Sequence, residues 1–260
     1  MGPAEPDERD DGDYLVLRVE APPAKEQDGV TLALVLDVSG SMAPALLDAS
    51  RALVEALLTG LGPQDRVAVF AADQELSPVG PSEMGPLDES RRAAILAALN
   101  RLSSGGATDL GRALERAADA IPADAPAGMV VYIGDGWPTV GDLDVDRIEA
   151  RLARRAGGIP RIGAVAVGPL ANRFSLGALV RDSGPLLEID DRSDAASTAI
   201  ALMADALRPA VADVRVVFPP GVDRIYPRGG HAAIAGSTIT AVARVKDQMP
   251  RNVELVWRAP

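Results

Sequence analysis

The sequence contains no cysteine in its 260 residues, which excludes disulfides, thiolate metal sites and a cysteine nucleophile. It has a single histidine, His231, so a histidine base could come from one place only. Aromatic residues are scarce: three Phe, two Trp and three Tyr. The core must therefore be made of Ala, Val, Leu and Ile, which suits close helix–sheet packing. Positive charge is in deficit, with 26 Lys and Arg against 37 Asp and Glu, a net charge of −11. Nucleic-acid binding depends on cations that neutralise phosphates, so that class is disfavoured. No apolar run reaches the roughly 18 residues of a membrane span, and no signal-peptide pattern opens the sequence. The expectation is a soluble protein, cytoplasmic if the sequence is complete; if it is a fragment, an exported parent stays open.

What is present suits one large α/β domain with a small appendage, since 47% of the residues are hydrophobic. The 25 Gly and 21 Pro are spread along the chain and read as turns. Residues 1–13, "MGPAEPDERDDGD", carry six acids against Arg9 and read as a disordered acidic tail. The stretch "YLVLRVEAP" (14–22) alternates like a half-exposed strand and leads into a linker ending near residue 29. "VTLALVLDV" (30–38), "DRVAVFAAD" (65–73), "AGMVVYIGDG" (127–136) and "PRIGAVAVGP" (160–169) are continuous apolar runs, as in strands buried on both faces. Residues 74–87 read as a short edge strand with a loop, and 185–190 as a further strand. Helical periodicity predicts helices over 45–62, 88–102, 110–121, 144–157, 173–182 and 193–208.

Alternating β and α segments predict a doubly wound, mainly parallel six-stranded sheet flanked by helices, over residues 30–208. After Pro209 the helices stop. "VADVRVVFPPG", "STITAVARV" and "NVELVWRAP" predict a small antiparallel β module over 209–260. Pairing of the 14–20 strand with this module is expected, which would make the α/β domain an insertion within it.

Ligands in such sheets bind at the carboxyl ends of the strands. Three segments place oxygen donors there: "DVSGSM" with Asp37, Ser39 and Ser41, the Gly-rich "SSGGATD" with Thr108, and "YIGDG" with Asp135. Carboxylates and hydroxyls are hard donors suited to Mg²⁺, Mn²⁺ or Ca²⁺. A competing reading of "DVSGSM" alone is helix capping, with Ser41 at the cap.

These residues resemble the von Willebrand factor type A domains. The metal-ion-dependent adhesion site (MIDAS) of that family uses a D-x-S-x-S loop, a threonine from a second loop and an aspartate from a third. The match falls on Asp37, Ser39, Ser41, Thr108 and Asp135 without substitution. "GGATDLGRAL" and "YIGDGWPTVGD" look closest to the branch of inter-alpha-trypsin inhibitor heavy chains and their bacterial relatives. The resemblance implies a metal-dependent protein-binding module, for adhesion or scaffolding, without catalysis. Its ion would be Mg²⁺ (Ca²⁺ or Mn²⁺ as alternatives), and an Asp or Glu carboxylate from a partner protein would complete the coordination. Trp137, Gly106 and Gly136 are assigned to the rim that such a partner meets, with no nucleic acid and no membrane insertion involved.

Rival chemistry lacks its parts. No G-x-S-x-G surrounds Ser39 or Ser41, and His231 is expected in a turn of the β module, which removes a serine triad. A metal-assisted hydrolase would need a general base near the ion. A structural module merely stiffened by the ion is the third reading. "DLDVDR" has Asp142, Asp144 and Asp146 at calcium-loop spacing, but Arg147 stands where that loop needs Gly; the acids instead suit the start of a helix. Asp109 is expected as the N-terminal acid of its helix, and the basic run "RLARRAG" as a solvated helical face.

Overall fold

The computed structural model describes residues 13–258 except residues 27, 126, 156, 157, 182 and 247. Of the predicted acidic tail, only Asp13 falls within the described residues.

In chain order the elements are β1 (Asp13–Glu20), β2 (Thr31–Asp37), α1 (Pro44–Gly60), β3 (Arg66–Ala72), β4 (Leu76–Pro78), β5 (Gly85–Pro86) and α2 (Glu89–Leu99). Then come α3 (Leu110–Asp119), β6 (Met129–Gly134), α4 (Val145–Leu152), β7 (Arg161–Val167), α5 (Arg173–Val180) and β8 (Leu186–Ile189). A 3₁₀ turn over Arg192–Asp194 precedes α6 (Ala195–Ala206). The chain finishes with β9 (Ala210–Val217), β10 (Val222–Tyr226), β11 (His231–Ile234), β12 (Thr238–Val245) and β13 (Glu254–Arg258).

The central sheet has the order β4–β3–β2–β6–β7–β8, with the two-residue β5 pairing back onto β3 as a seventh strand. β3, β2, β6, β7 and β8 are mutually parallel, and only the short β4 and β5 run antiparallel. Every residue of β2 is buried, as its unbroken apolar run requires. Alternate side chains enter two separate helical layers. Leu32, Leu34 and Leu36 pack with α1, α2 and α6, while Ala33 and Val35 pack with α3, α4 and α5. The second layer uses Ala68, Ala164 and Ala166 on the neighbouring strands, so small side chains bring its helices close to the sheet.

From β2 the chain crosses through α1 to β3 on one side, whereas β6 lies on its other side and crosses through α4 to β7. Connections leaving adjacent strands in opposite directions open a crevice above their carboxyl ends, here those of β2 and β6.

The remaining strands form two three-stranded antiparallel sheets, β1–β12–β10 and β11–β9–β13. β1 pairs along its whole length with β12, Leu17 opposite Ala241. Ala21, Val211, Val214, Ala233 and Ile239 fill the core between them. His231 lies at the first position of β11, not in a turn, and Ile159 forms a bridge to it. At the junction with the α/β domain, the buried Arg161 guanidinium donates to the carbonyls of Ser183, Ala206 and Arg208 and to the Asp205 carboxylate, closing the end of α6. Arg181 pairs with Glu149 and stacks 4.5 Å from the centroid of the Tyr226 ring. Among the described residues no helix is long and apolar enough to cross a membrane.

Candidate functional site

The crevice floor begins at Asp37, the last residue of β2, whose carboxylate is fully buried. Its Oδ1 accepts the Ser39 N–H at 2.8 Å, an aspartate turn that folds the chain over the strand end. The Gly40 N–H donates to the Gly106 carbonyl at 2.9 Å, and the Gly105 N–H to the Val38 carbonyl at 2.7 Å. These two bonds stitch the "DVSGSM" loop to the Gly-rich 103–109 loop.

Helix capping does not explain the two serines. The cap residue of α1 is Ala43, with no side-chain capping bond and a proline opening the helix. Ser41 lies two residues before that cap position. Ser39 Oγ and Ser41 Oγ instead lie 2.9 Å apart, Ser39 buried and Ser41 exposed.

Thr108 is fully buried and its hydroxyl donates to Asp37 Oδ1 at 3.3 Å. Its backbone is clamped by Thr139: the Thr108 N–H donates to Thr139 Oγ1 at 2.8 Å, and the Thr139 N–H to the Thr108 carbonyl at 2.9 Å. Asp109 caps α3, accepting the Arg112 N–H at 3.0 Å, as its position at the helix start suggested. Asp135 follows β6 and is buried; its Oδ1 accepts the Trp137 N–H at 3.0 Å, and its carbonyl the Asn172 N–H at 2.7 Å.

Sequence reasoning missed Tyr132. This side chain is buried beneath the crevice, and its hydroxyl donates to Asp37 Oδ2 at 2.5 Å while accepting the Gly136 N–H at 3.2 Å. The available signal was a lone phenol in the aliphatic strand "MVVYIG", since a buried tyrosine hydroxyl needs a partner. Gly134 clears the space: a Cβ there would lie 2.4 Å from Asp37 Cβ and 2.6 Å from the Tyr132 hydroxyl.

Burial pushes the Asp37 carboxyl above its ordinary range, and the charge of Asp135 pushes the same way; the bonds from Tyr132 and Ser39 oppose this. Burial and the adjacent Asp37 charge raise the Tyr132 phenol well above its usual value. None of the ion pairs among the described residues involves Asp37 or Asp135. Two buried, mutually repelling carboxylates without a cation are costly. A divalent cation fits this donor set, with three hydroxyls and two carboxylates as hard oxygens. Among the described residues no group of three or more His, Asp and Glu is placed to hold a metal. The hydroxyls would have to make up the set.

Around the crevice, Gly106 is exposed with φ +82° and Trp137 is half-exposed, its Nε1 donating to the Leu170 carbonyl at 2.9 Å. Gly136 does not reach the rim: it is buried with φ +71°, and a Cβ there would lie 2.6 Å from Leu176. Its role is to shape the loop. The basic run is not merely solvated either. Arg151 bridges Glu115 at 3.2 Å and Asp142 at 3.0 Å, and Arg155 bridges Asp119 at 3.0 Å, tying the α4 segment to α3. Asp142 is thereby paired, Asp144 is the cap residue of α4 and Asp146 lies in its first turn.

Residues 32–137 match the family model described as von Willebrand factor type A domain. Among solved structures, a von Willebrand factor type A protein from Catenulispora acidiphila is 20% identical, with a TM-score of 0.66 over 96% of this chain and 70% of that one. The ArnB paralog VWA2 from Sulfolobus acidocaldarius is 15% identical, with a TM-score of 0.59 over 94% of this chain and 64% of that one. Proximal thread matrix protein 1 from the mussel byssus, with a zinc-occupied MIDAS motif, is 18% identical, with a TM-score of 0.53 over 72% of this chain and 47% of that one. At these identities the structural likeness is one of fold.

Proposed function

We propose that this chain, which carries a von Willebrand factor type A domain, is a divalent-metal-dependent docking module for a protein partner. The observation that carries the reading is the buried pair Asp37 and Asp135 in the β2–β6 crevice, in no ion pair with Lys or Arg among the described residues, with Ser39, Ser41 and Thr108 around Asp37. Ser39, Ser41 and Thr108 would offer hydroxyl oxygens, and Asp37 and Asp135 carboxylates, directly or through water. When bound, the ion supplies a surplus of positive charge at an open coordination position, which a partner's Asp or Glu carboxylate fills. Tyr132 holds Asp37 in place from below, and Thr139 holds the Thr108 loop from the side. Von Willebrand factor type A domains are in general interaction modules, and the crevice offers no histidine to act as a hydrolytic base. In the mussel byssus protein the motif holds zinc; the all-oxygen set here favours Mg²⁺, with Ca²⁺ or Mn²⁺ as alternatives. Within the family we place the chain nearest the inter-alpha-trypsin inhibitor heavy-chain branch, on "GGATDLGRAL" and "YIGDGWPTVGD".

Thermal melting tests the reading. Mg²⁺ at about 100 times its Kd adds ~2.7 kcal/mol, or roughly 5–10 °C for a domain of this size. That rise should vanish in Ser39→Ala and be reversed by EDTA. Equal melting temperatures with Mg²⁺ and EDTA would refute it.

A further inference from the structure

Large apolar side chains on a soluble surface are ordinarily scattered. Here Trp137, Leu170 and Phe174 are 51%, 84% and 87% exposed, on the segments that follow β6 and β7 beside the crevice. They are built into it. Trp137 donates its N–H to Asp135 Oδ1 and its indole N–H to the Leu170 carbonyl. Asn172, between Leu170 and Phe174, donates its N–H to the Asp135 carbonyl. The loop after β6 and the loop after β7 thus form one block that holds a metal-ligand candidate on its inner side and apolar side chains on its outer side. Two of the chain's eight aromatic residues are spent at this place, in a protein otherwise cored with aliphatics.

The opposite bank is different in character. Ser103, Ser104, Gly105 and Gly106 form it, with Asp73 beside Gly106. On the other side, past the apolar block, Asp190 and Asp191 follow the carboxyl end of β8, Asp190 close enough to Arg173 to favour its charge. Arg173, the cation nearest in sequence to the apolar block, is tied to Glu188 at 2.8 Å. The crevice is therefore apolar on one bank and acidic at its margins.

Resting on the metal-docking reading, we infer that the partner is a protein segment bearing one Asp or Glu for the ion and a large apolar side chain within a few residues of it, seated on Trp137, Leu170 and Phe174. Charge complementarity gives the rest of the segment: beyond that single carboxylate it is neutral or basic, because further acids would face Asp73, Asp190 and Asp191. The same argument disfavours a second copy of this chain, which would bring two acidic margins and two net charges of −11 together. Interface hot spots are enriched in Trp, which Trp137 supplies in this block.

The test is selection from a displayed peptide library with a central Asp or Glu and three randomised residues on each side, bound to the full chain in Mg²⁺ and eluted with EDTA. Eluted peptides should carry an aromatic or branched aliphatic residue on one consistent side and be depleted in further acids. They should bind the double variant Leu170→Ser, Phe174→Ser about thirtyfold more weakly or worse, the loss of one hot spot. Both side chains are mostly exposed, so the variant should fold, and its Mg²⁺ affinity by calorimetry should equal that of wild type. EDTA-eluted peptides with no apolar preference, bound equally by the variant, would overturn the inference and leave metal docking standing. No EDTA-eluted peptide would overturn it too, and the Mg²⁺ titration then shows whether the parent reading falls with it.

Discussion

The hydroxyl of Tyr132 offers the sharpest perturbation of the crevice, because Tyr132→Phe removes one oxygen and leaves the ring in place. That oxygen donates at 2.5 Å to Asp37 Oδ2 and accepts the Gly136 N–H at 3.2 Å, all buried. A hydrogen bond to a charged group contributes about 1.5–3 kcal/mol and a neutral one about 1 kcal/mol. The substitution should therefore cost about 3 kcal/mol, lowering the melting temperature by roughly 6–12 °C in EDTA. Saturating Mg²⁺ should shrink the deficit, since the freed Oδ2 then has a cation to face. Circular-dichroism melts of both proteins in EDTA and in Mg²⁺ measure the two differences. A metal-free loss below about 2 °C, well under the range expected for a domain of this size, would show that the phenol does not support Asp37.

Gly134→Ala places a methyl 2.4 Å from Asp37 Cβ and 2.6 Å from the Tyr132 hydroxyl. Overpacking of this kind costs about 1–3 kcal/mol, seen as a lower urea midpoint, and the melting response to Mg²⁺ should weaken with it. Asp223, held well below the ordinary carboxylate value of 3.8 by Arg244 and Lys246, stabilises the fold above that pH and loses its effect as acid protonates it. Asp223→Asn should therefore flatten the stability profile below about pH 4, measured by acid titration of the folded fraction, and a profile unchanged by the substitution would refute the linkage.

Much of the α/β layer order was visible in the residues. β2, β3, β6 and β7 are unbroken apolar runs because helices cover both faces, and the amphipathic helices between them mark the crossovers. The short pieces were less legible. β5 is two residues ending in a proline, and β10 and β11 flank "PRGG" with little alternation, so His231 looked like a turn residue. Their pairing depends on partners far away in sequence. The residues proposed as donors were visible as oxygen-bearing types at strand ends, but the side chains that support them were not. Tyr132 reaches Asp37 because β6 lies beside β2 with Val35 opposite Tyr132, a register no local pattern reveals. Ser41 resembled a cap because it lies within three residues of the helix; the chain makes one further turn through Met42 and Ala43 before α1 begins. The arginines of the "RLARRAG" run looked solvated because their acids belong to α3 and to the loop before α4.

The most direct test of metal docking is calorimetric titration of Mg²⁺ into wild type and Asp37→Asn at neutral pH. The account predicts a saturable single-site isotherm for wild type and no binding heat for the variant, whose fold should persist because the substitution keeps the side chain's size and removes a buried charge. Indistinguishable isotherms from the two proteins would contradict it.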